Sequence, residues 1–214
     1  MRQRGVNMHI AFEGIDGSGK STQLELLTGS LKNKTMKPIY RTKQPTNFYR
    51  SYDRYRPYVE REISTEDSKI IYELALLSAA DKIRHYELEI APNNDKIVVC
   101  DRHVFSAYSY FLARGISDIA WLKSINNFLP LPDITFCIDV APDEALNRIT
   151  NRDSSYSREE TDSEILVTTR NHFLSQPWGA NKNYHIVDGS NYRTPQEINQ
   201  EITDIVTLYL ESFK

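Results

Sequence analysis

The residues best suited to chemistry lie together near the start of the chain. Gly14-Ile15-Asp16-Gly17-Ser18-Gly19-Lys20-Ser21, with Thr22 behind it, fits the pattern G-x-x-x-x-G-K-[ST] and comes straight after the apolar run Ile10-Ala11-Phe12. Glycines in such a loop let the backbone curl, so that successive N–H groups and the N-terminus of a following helix face phosphate oxygens. In this pattern the lysine, here Lys20, reaches the β- and γ-phosphates, and the hydroxyl, here Ser21, takes a place on Mg²⁺. A Gly/Ser-rich turn with a chance lysine is the plainer alternative; the strand-like run before the loop and the amphipathic run after it argue against that.

Two further groups are suited to phosphate. Asp101 ends the apolar run Ile97-Val98-Val99-Cys100, where a carboxylate can hold Mg²⁺ or its waters, and Arg102 beside it offers a bidentate grip. A turn with a local salt bridge would use the same pair, and the phosphate loop weighs against that reading. Arg148, Arg152 and Arg158 lie across a helix end and a polar stretch, 151–160. A segment that brings arginines over a transferring phosphoryl group supplies charge where the transition state develops it. Scattered cations on a solvated face are the alternative. The five histidines (His9, His85, His103, His172, His185) show no metal-ligand spacing, and no Ser-His-Asp or Cys-His set is visible. Positioning and charge neutralisation remain, which is what phosphoryl transfer requires.

The elements that must position these groups follow from periodicity. Leu24, Leu26, Leu27 and Leu31 approximate one helix face after the loop. Residues 38–42 read as a second strand, and Gln44-Pro45-Thr46-Asn47 as a turn cluster. Segment 49–61 then interleaves Tyr49, Tyr52, Tyr55 and Tyr58 with Arg50, Arg54, Arg56 and Arg61. Aromatic faces with cations suit a ligand wall, and they suit an amphipathic flank as well. Ser64-Thr65-Glu66-Asp67 offers caps and first-turn acids for a long helix to about residue 90. Further helices are expected over 105–112, over 118–129 with Ser117 as cap, over 142–152 and over 162–174. Runs 97–101 and 134–138 look like buried parallel strands, with a short strand at 185–188. Thr194, Pro195 and Glu197 form a capping box with proline at the first position of a final helix. Strands alternating with helices imply a five-stranded parallel sheet covered on both faces. Ligands of such a sheet bind outside the strands' carboxyl ends, where Gly14, Thr42, Asp101 and Val140 would emerge.

Bulk properties agree. The 214 residues suit one α/β domain spanning 1–214, and 40% hydrophobic with 26% charged content is ordinary for a soluble protein. A net charge of −3 argues against nucleic-acid or anionic-membrane partners. Cys100 and Cys137 sit in apolar runs, too few for a disulfide scaffold, and residues 1–7 have no apolar core for a secretory signal, so a cytoplasmic location is expected.

Taken together, Phe12 to Gln23 (FEGIDGSGKSTQ), Val98 to Tyr110 (VVCDRHVFSAYSY), Leu131 to Ile149 (LPDITFCIDVAPDEALNRI) and the weaker Ala75 to His85 (ALLSAADKIRH) resemble the thymidylate kinases among the P-loop nucleoside monophosphate kinases. The resemblance implies a three-layer α-β-α P-loop NTPase fold with strand order 2-3-1-4-5, ATP and Mg²⁺, and a homodimer through helices flanking the Asp-Arg strand. It implies that residues 14–22 cradle ATP, that Asp16 binds the acceptor's 3′-hydroxyl and that Arg102 binds its phosphate. Asp101 would organise the magnesium site and Ser106 stand near the base, while Tyr110 would press on the deoxyribose. Arg148, Arg152 and Arg158 would belong to a lid over ATP, about 148–162. Where the family has Phe-Ala-Ala-Asp-Arg, with Phe stacked on thymine and Arg on a thymine carbonyl, this chain reads Ser78-Ala79-Ala80-Asp81-Lys82. Serine cannot stack, and loss of an aromatic platform costs about 1–3 kcal/mol. Lys82 keeps a donor without the planar fork. The family's Arg-Glu-Pro reads Lys43-Gln44-Pro45. Three readings stand: phosphorylation of a monophosphate with dTMP leading, a related kinase with another nucleotide, nucleoside or metabolite as acceptor, and a non-catalytic nucleotide binder.

Overall fold

The computed structural model describes residues 8–63, 68–152, 154–175 and 183–212. The expected helix start at Ser64-Thr65-Glu66-Asp67 and the expectation about residues 1–7 lie outside the described residues.

Five strands form one sheet, β1 (Met8–Glu13), β2 (Ile39–Lys43), β3 (Ile97–Asp101), β4 (Ile134–Asp139) and β5 (Tyr184–Asp188), in the order β2-β3-β1-β4-β5. All pairings are parallel. Every residue of β1 and β3 is buried, which is why these strands read as continuous apolar runs and not as alternating ones. Register aligns the strand ends. Phe12 and Lys43 both pair with Asp101, so three chains leave the sheet at one level.

Helices α1 (Lys20–Lys32), α2 (Asn47–Arg50), α3 (Tyr55–Val59), α4 (Ser68–His85), α5 (Val104–Ala113), α6 (Ile119–Ile125), α7 (Pro142–Thr150), α8 (Ser163–Ser175) and α9 (Pro195–Glu211) complete the layers. Helix α1 packs with α9, and α5 packs with α4 and α8, so helices flank the sheet. The capping box at Thr194 and Glu197 forms as expected. A π-helical turn, Tyr86–Ile90, prolongs α4 to the predicted end. Helix α6 is shorter than the periodicity suggested. Asp118, not Ser117, caps it by accepting from the Trp121 N–H at 2.9 Å, and it ends at Ile125, where Asn126 leaves helical geometry. Segment 49–61 folds as the two short helices α2 and α3 with Tyr49 and Tyr58 in the core. Cys100 and Cys137 are free and buried. Among the described residues no helix is long and apolar enough to cross a membrane.

Candidate active site

The loop between β1 and α1 is held against the rest of the sheet by its glycines. Gly14 has φ 133° and Gly17 φ 77°, values that side chains resist. A Cβ on Gly14 would lie 2.5 Å from the Ile138 carbonyl oxygen, and one on Gly17 would lie 2.3 Å from that of Ala145. The loop is therefore pressed onto β4 and α7, and α7 carries Arg148. Its guanidinium lies 3.5 Å from the Gly17 and Ser18 carbonyls and is held by Glu144 and the Gly189 carbonyl. Helix α1 starts behind Gly19 with no side-chain cap, so its first N–H groups are free for an anion.

Lys20 is buried, and its Nζ donates to the Ile15 carbonyl at 2.6 Å and to Ser18 Oγ at 3.3 Å. Burial, reinforced by the Arg102 charge, pushes its pKa down to about 8 despite Asp16, Asp101 and Glu13 nearby. The Ser21 hydroxyl donates to Asp101 Oδ2 at 3.0 Å, while Asp101 Oδ1 is buried without a partner among the described residues. That orphaned oxygen beside a hydroxyl fits Mg²⁺, which takes one or two protein ligands and completes its shell with phosphates and water.

A second group of polar side chains centres on Arg102. This residue holds φ 68°, and its guanidinium donates to the Gly14 carbonyl at 3.0 Å, to Ser106 Oγ at 3.2 Å and to Asp16. The Tyr110 hydroxyl donates to Asp16 Oδ2 at 2.7 Å, and the Arg102 guanidinium lies 5.0 Å from the Tyr110 ring. Burial alone would raise the Asp16 carboxyl, but Arg102, Lys20 and Tyr110 together hold it well below the usual range. Behind this knot Glu13 is wholly buried. It accepts from the His103 N–H at 3.0 Å and from the Ser106 hydroxyl. Burial pushes its carboxyl up, against those hydrogen bonds and the Arg102 charge.

On α4, Lys82 Nζ donates to Ser78 Oγ at 2.7 Å, and both side chains are buried. Burial takes Lys82 down to about 8, opposed by Asp81. These groups meet in one cleft of about 620 Å³, lined by the phosphate loop, Ser78, Lys82, Asp101, Arg102, Ser106, Tyr110, Arg148 and Arg152 among others. Arg158 is not among the lining residues; its backbone N–H lies 3.4 Å from Glu60. Arg152 lines the cleft but is paired with Glu160.

Sequence reasoning missed Arg114 and Glu159, which also line the cleft. Their bidentate bonds of 2.9 and 2.7 Å join the end of α5 to the polar stretch 151–160, and Arg114 lies within 6 Å of the Tyr58, Tyr110 and Phe111 rings. No motif announces a pair separated by 45 residues. Of segment 49–61, Arg50 and Tyr55 reach the cleft.

Comparison with known proteins agrees with this geometry. The family model for thymidylate kinase matches residues 12–202. A protein of Methanococcus aeolicus named "Probable thymidylate kinase" is 33% identical over 207 residues, covering 92% of this chain and 94% of its own. One of the same name from Pyrobaculum aerophilum is 32% identical over 200 residues, covering 92% and 95%. Another, from Pyrococcus horikoshii, is 40% identical over 146 residues, covering 67% and 70%. The chain belongs to the thymidylate kinase family.

Proposed function

We propose that the protein transfers the γ-phosphoryl group of ATP to dTMP, giving dTDP and ADP. The observation that carries this reading is convergence. Lys20, the Ser21–Asp101 pair and the Asp16–Arg102–Tyr110 knot face one cleft whose far wall carries Ser78 and Lys82. The relatives from Pyrococcus horikoshii, Methanococcus aeolicus and Pyrobaculum aerophilum, each named a probable thymidylate kinase, support it.

In this reading residues 14–22 hold the phosphates through backbone N–H groups, and Lys20 supplies a positive charge to the β- and γ-phosphates. Ser21 and Asp101 would hold Mg²⁺, which neutralises charge on the phosphates and leaving group. Arg102 exchanges its contact with Asp16 for the acceptor's phosphate. An oxygen of that phosphate attacks the γ-phosphorus while the bond to the β–γ bridging oxygen breaks, and ADP carries away the electron pair. A phosphate monoester is ionised near neutral pH, so no general base is needed. Asp16 takes the 3′-hydroxyl, Tyr110 packs on the deoxyribose, and Ser106 with Ser78 and Lys82 lies toward the base. Arg148 and Arg152, with Arg158 beyond the cleft lining, form a lid segment over 148–162 within a single domain.

A homodimer through α4 has support in the exposed stripe Tyr72, Leu76, Ala80, Ile83 and Leu88, whose spacing follows one helix face. Free buried thiols suit a cytoplasmic enzyme. The deciding assay measures ADP release with dTMP, dUMP, the other monophosphates and free nucleosides. Turnover greatest with dTMP is expected. Turnover confined to another acceptor, or to none, overturns the reading.

A further inference from the structure

The acceptor side holds a buried acceptor atom whose orientation is fixed from behind. Tyr40 and Thr42 hydroxyls both donate to Glu89 Oε2 at 3.1 Å. With its proton on Glu89, the Thr42 oxygen can only accept from His85 Nε2, which it contacts. Burial holds the His85 imidazole below its usual range, against the charges of Glu89 and Asp81. In the neutral ring with its proton on Nε2, which lies 3.5 Å from Glu89 Oε2, Nδ1 carries a lone pair, and Gln44 Nε2 at 2.9 Å donates to it. Gln44 Oε1 is left without a partner among the described residues, in a side chain that is 1% exposed and lines the cleft.

Lys82 lines the same cleft. It lies three residues before His85 on α4, the spacing that puts side chains on neighbouring positions of one helix face. Among the described residues its Nζ has Ser78 Oγ as hydrogen-bond partner, although an ammonium carries three donors. The cleft lining therefore presents a donor with spare N–H groups and an unpartnered acceptor, with serine at the position where the family carries its stacking Phe.

We propose that Gln44 is a specificity-determining residue, its Oε1 accepting from the ring N–H of the acceptor's base while Lys82 donates to the neighbouring carbonyl. The ligand class is a deoxynucleoside monophosphate whose base has an imide edge. This rests on the proposed kinase reading and deepens it. Base recognition passes from stacking to edge reading, and a base lacking the ring N–H leaves Gln44 Oε1 buried and unpaired, the kind of mismatch that polar sites reject most strongly.

The test compares dTMP with its 3-deaza analogue, a 4-hydroxy-2-pyridone in which a ring C–H replaces the N–H and a hydroxyl oxygen, still able to accept from Lys82, replaces the neighbouring carbonyl. Steady-state ADP release is measured for the wild-type protein and Gln44→Leu. The wild type should prefer dTMP by roughly 10- to 100-fold in kcat/KM. Gln44→Leu should bring the two substrates within about threefold. A merely structural role would lower both substrates together and leave the ratio unchanged, which would overturn the proposal while the kinase reading stands. If Gln44→Leu does not fold, an absent preference in the wild type overturns it equally well. If no monophosphate is turned over, both readings fall.

Discussion

Arg102 and Asp16 form an ion pair across the floor of the cleft, one from the end of β3 and the other from the phosphate loop after β1. Arg102 reaches it from a left-handed backbone, φ 68°, a conformation that costs a non-glycine residue on the order of 1–3 kcal/mol. Two hydrogen bonds hold that turn. The Arg102 N–H donates to the Phe12 carbonyl at 2.8 Å, and the next N–H, of His103, donates to Glu13 Oε1 at 3.0 Å.

Glu13 is therefore a positioning residue for Arg102. Glu13→Ala leaves the His103 N–H buried and unpaired and frees Ser106 from its carboxylate. We expect KM for dTMP to rise about tenfold, with kcat/KM for ATP within about threefold of wild type. Glu13→Gln keeps an acceptor for the N–H and should restore most of the loss. Equal losses for ATP and dTMP would show that Glu13 supports the whole loop, and not the arginine turn alone.

Lys20→Ala separates catalysis from stability. Removing one preorganised charge from the phosphate site should lower kcat by about 10²–10³-fold. The fold should not suffer, because burial depresses the Lys20 pKa to about 8, so its charged form is a cost to the unliganded protein near neutral pH. Thermal unfolding should give a Tm equal to or above wild type, and retained turnover would refute the assigned role.

Lys82 sets a pH limit. Its pKa of about 8 in the free protein lies below the ordinary lysine range, so it loses its proton as pH rises through that value. At saturating ATP, kcat/KM for dTMP should be flat between about pH 7 and 8 and fall above it as the Lys82 charge is lost. Lys82→Arg cannot lose its proton in this range, so the falling limb should vanish below pH 9. A limb that persists in the variant belongs to another group. The linked stability effect has the opposite slope. Between about 8 and the unfolded-state value the unfolded chain binds the proton more, so this residue's contribution to stability rises with pH.

How far the sequence carried differs along the chain. The phosphate loop, Asp101-Arg102 and the buried strands were readable because each depends on short-range pattern: glycines at fixed offsets, and unbroken apolar runs where both sheet faces are covered. Resemblance added the strand order. Gln44 stood out only as a departure from the family's Arg-Glu-Pro. The role proposed for it rests on its contact with His85, which is 41 residues away, and no local pattern reports the tautomer of a buried imidazole. Segment 49–61 was ambiguous for a similar reason. Tyrosines and arginines alternate there, and tertiary packing alone separates Tyr49 and Tyr58, which enter the core, from Tyr55 and Arg50 at the cleft.

Arg114 and Glu159 tie the end of α5 to the polar stretch 151–160, with side chains only 9% and 8% exposed. A pair this buried contributes little net stability compared with a well-packed apolar pair, but removing one member strands the other. Glu159→Leu should therefore destabilise the protein by about 3–5 kcal/mol, read as a lower urea midpoint at unchanged slope. Arg114→Met combined with Glu159→Leu should recover most of that loss, since no uncompensated charge remains and Met can still pack against Tyr58, Tyr110 and Phe111. The double variant keeps the packing but lacks the ionic tie. If the tie orders the lid, KM for ATP should rise in the double variant while stability returns. If KM and stability recover together, the pair serves the fold alone.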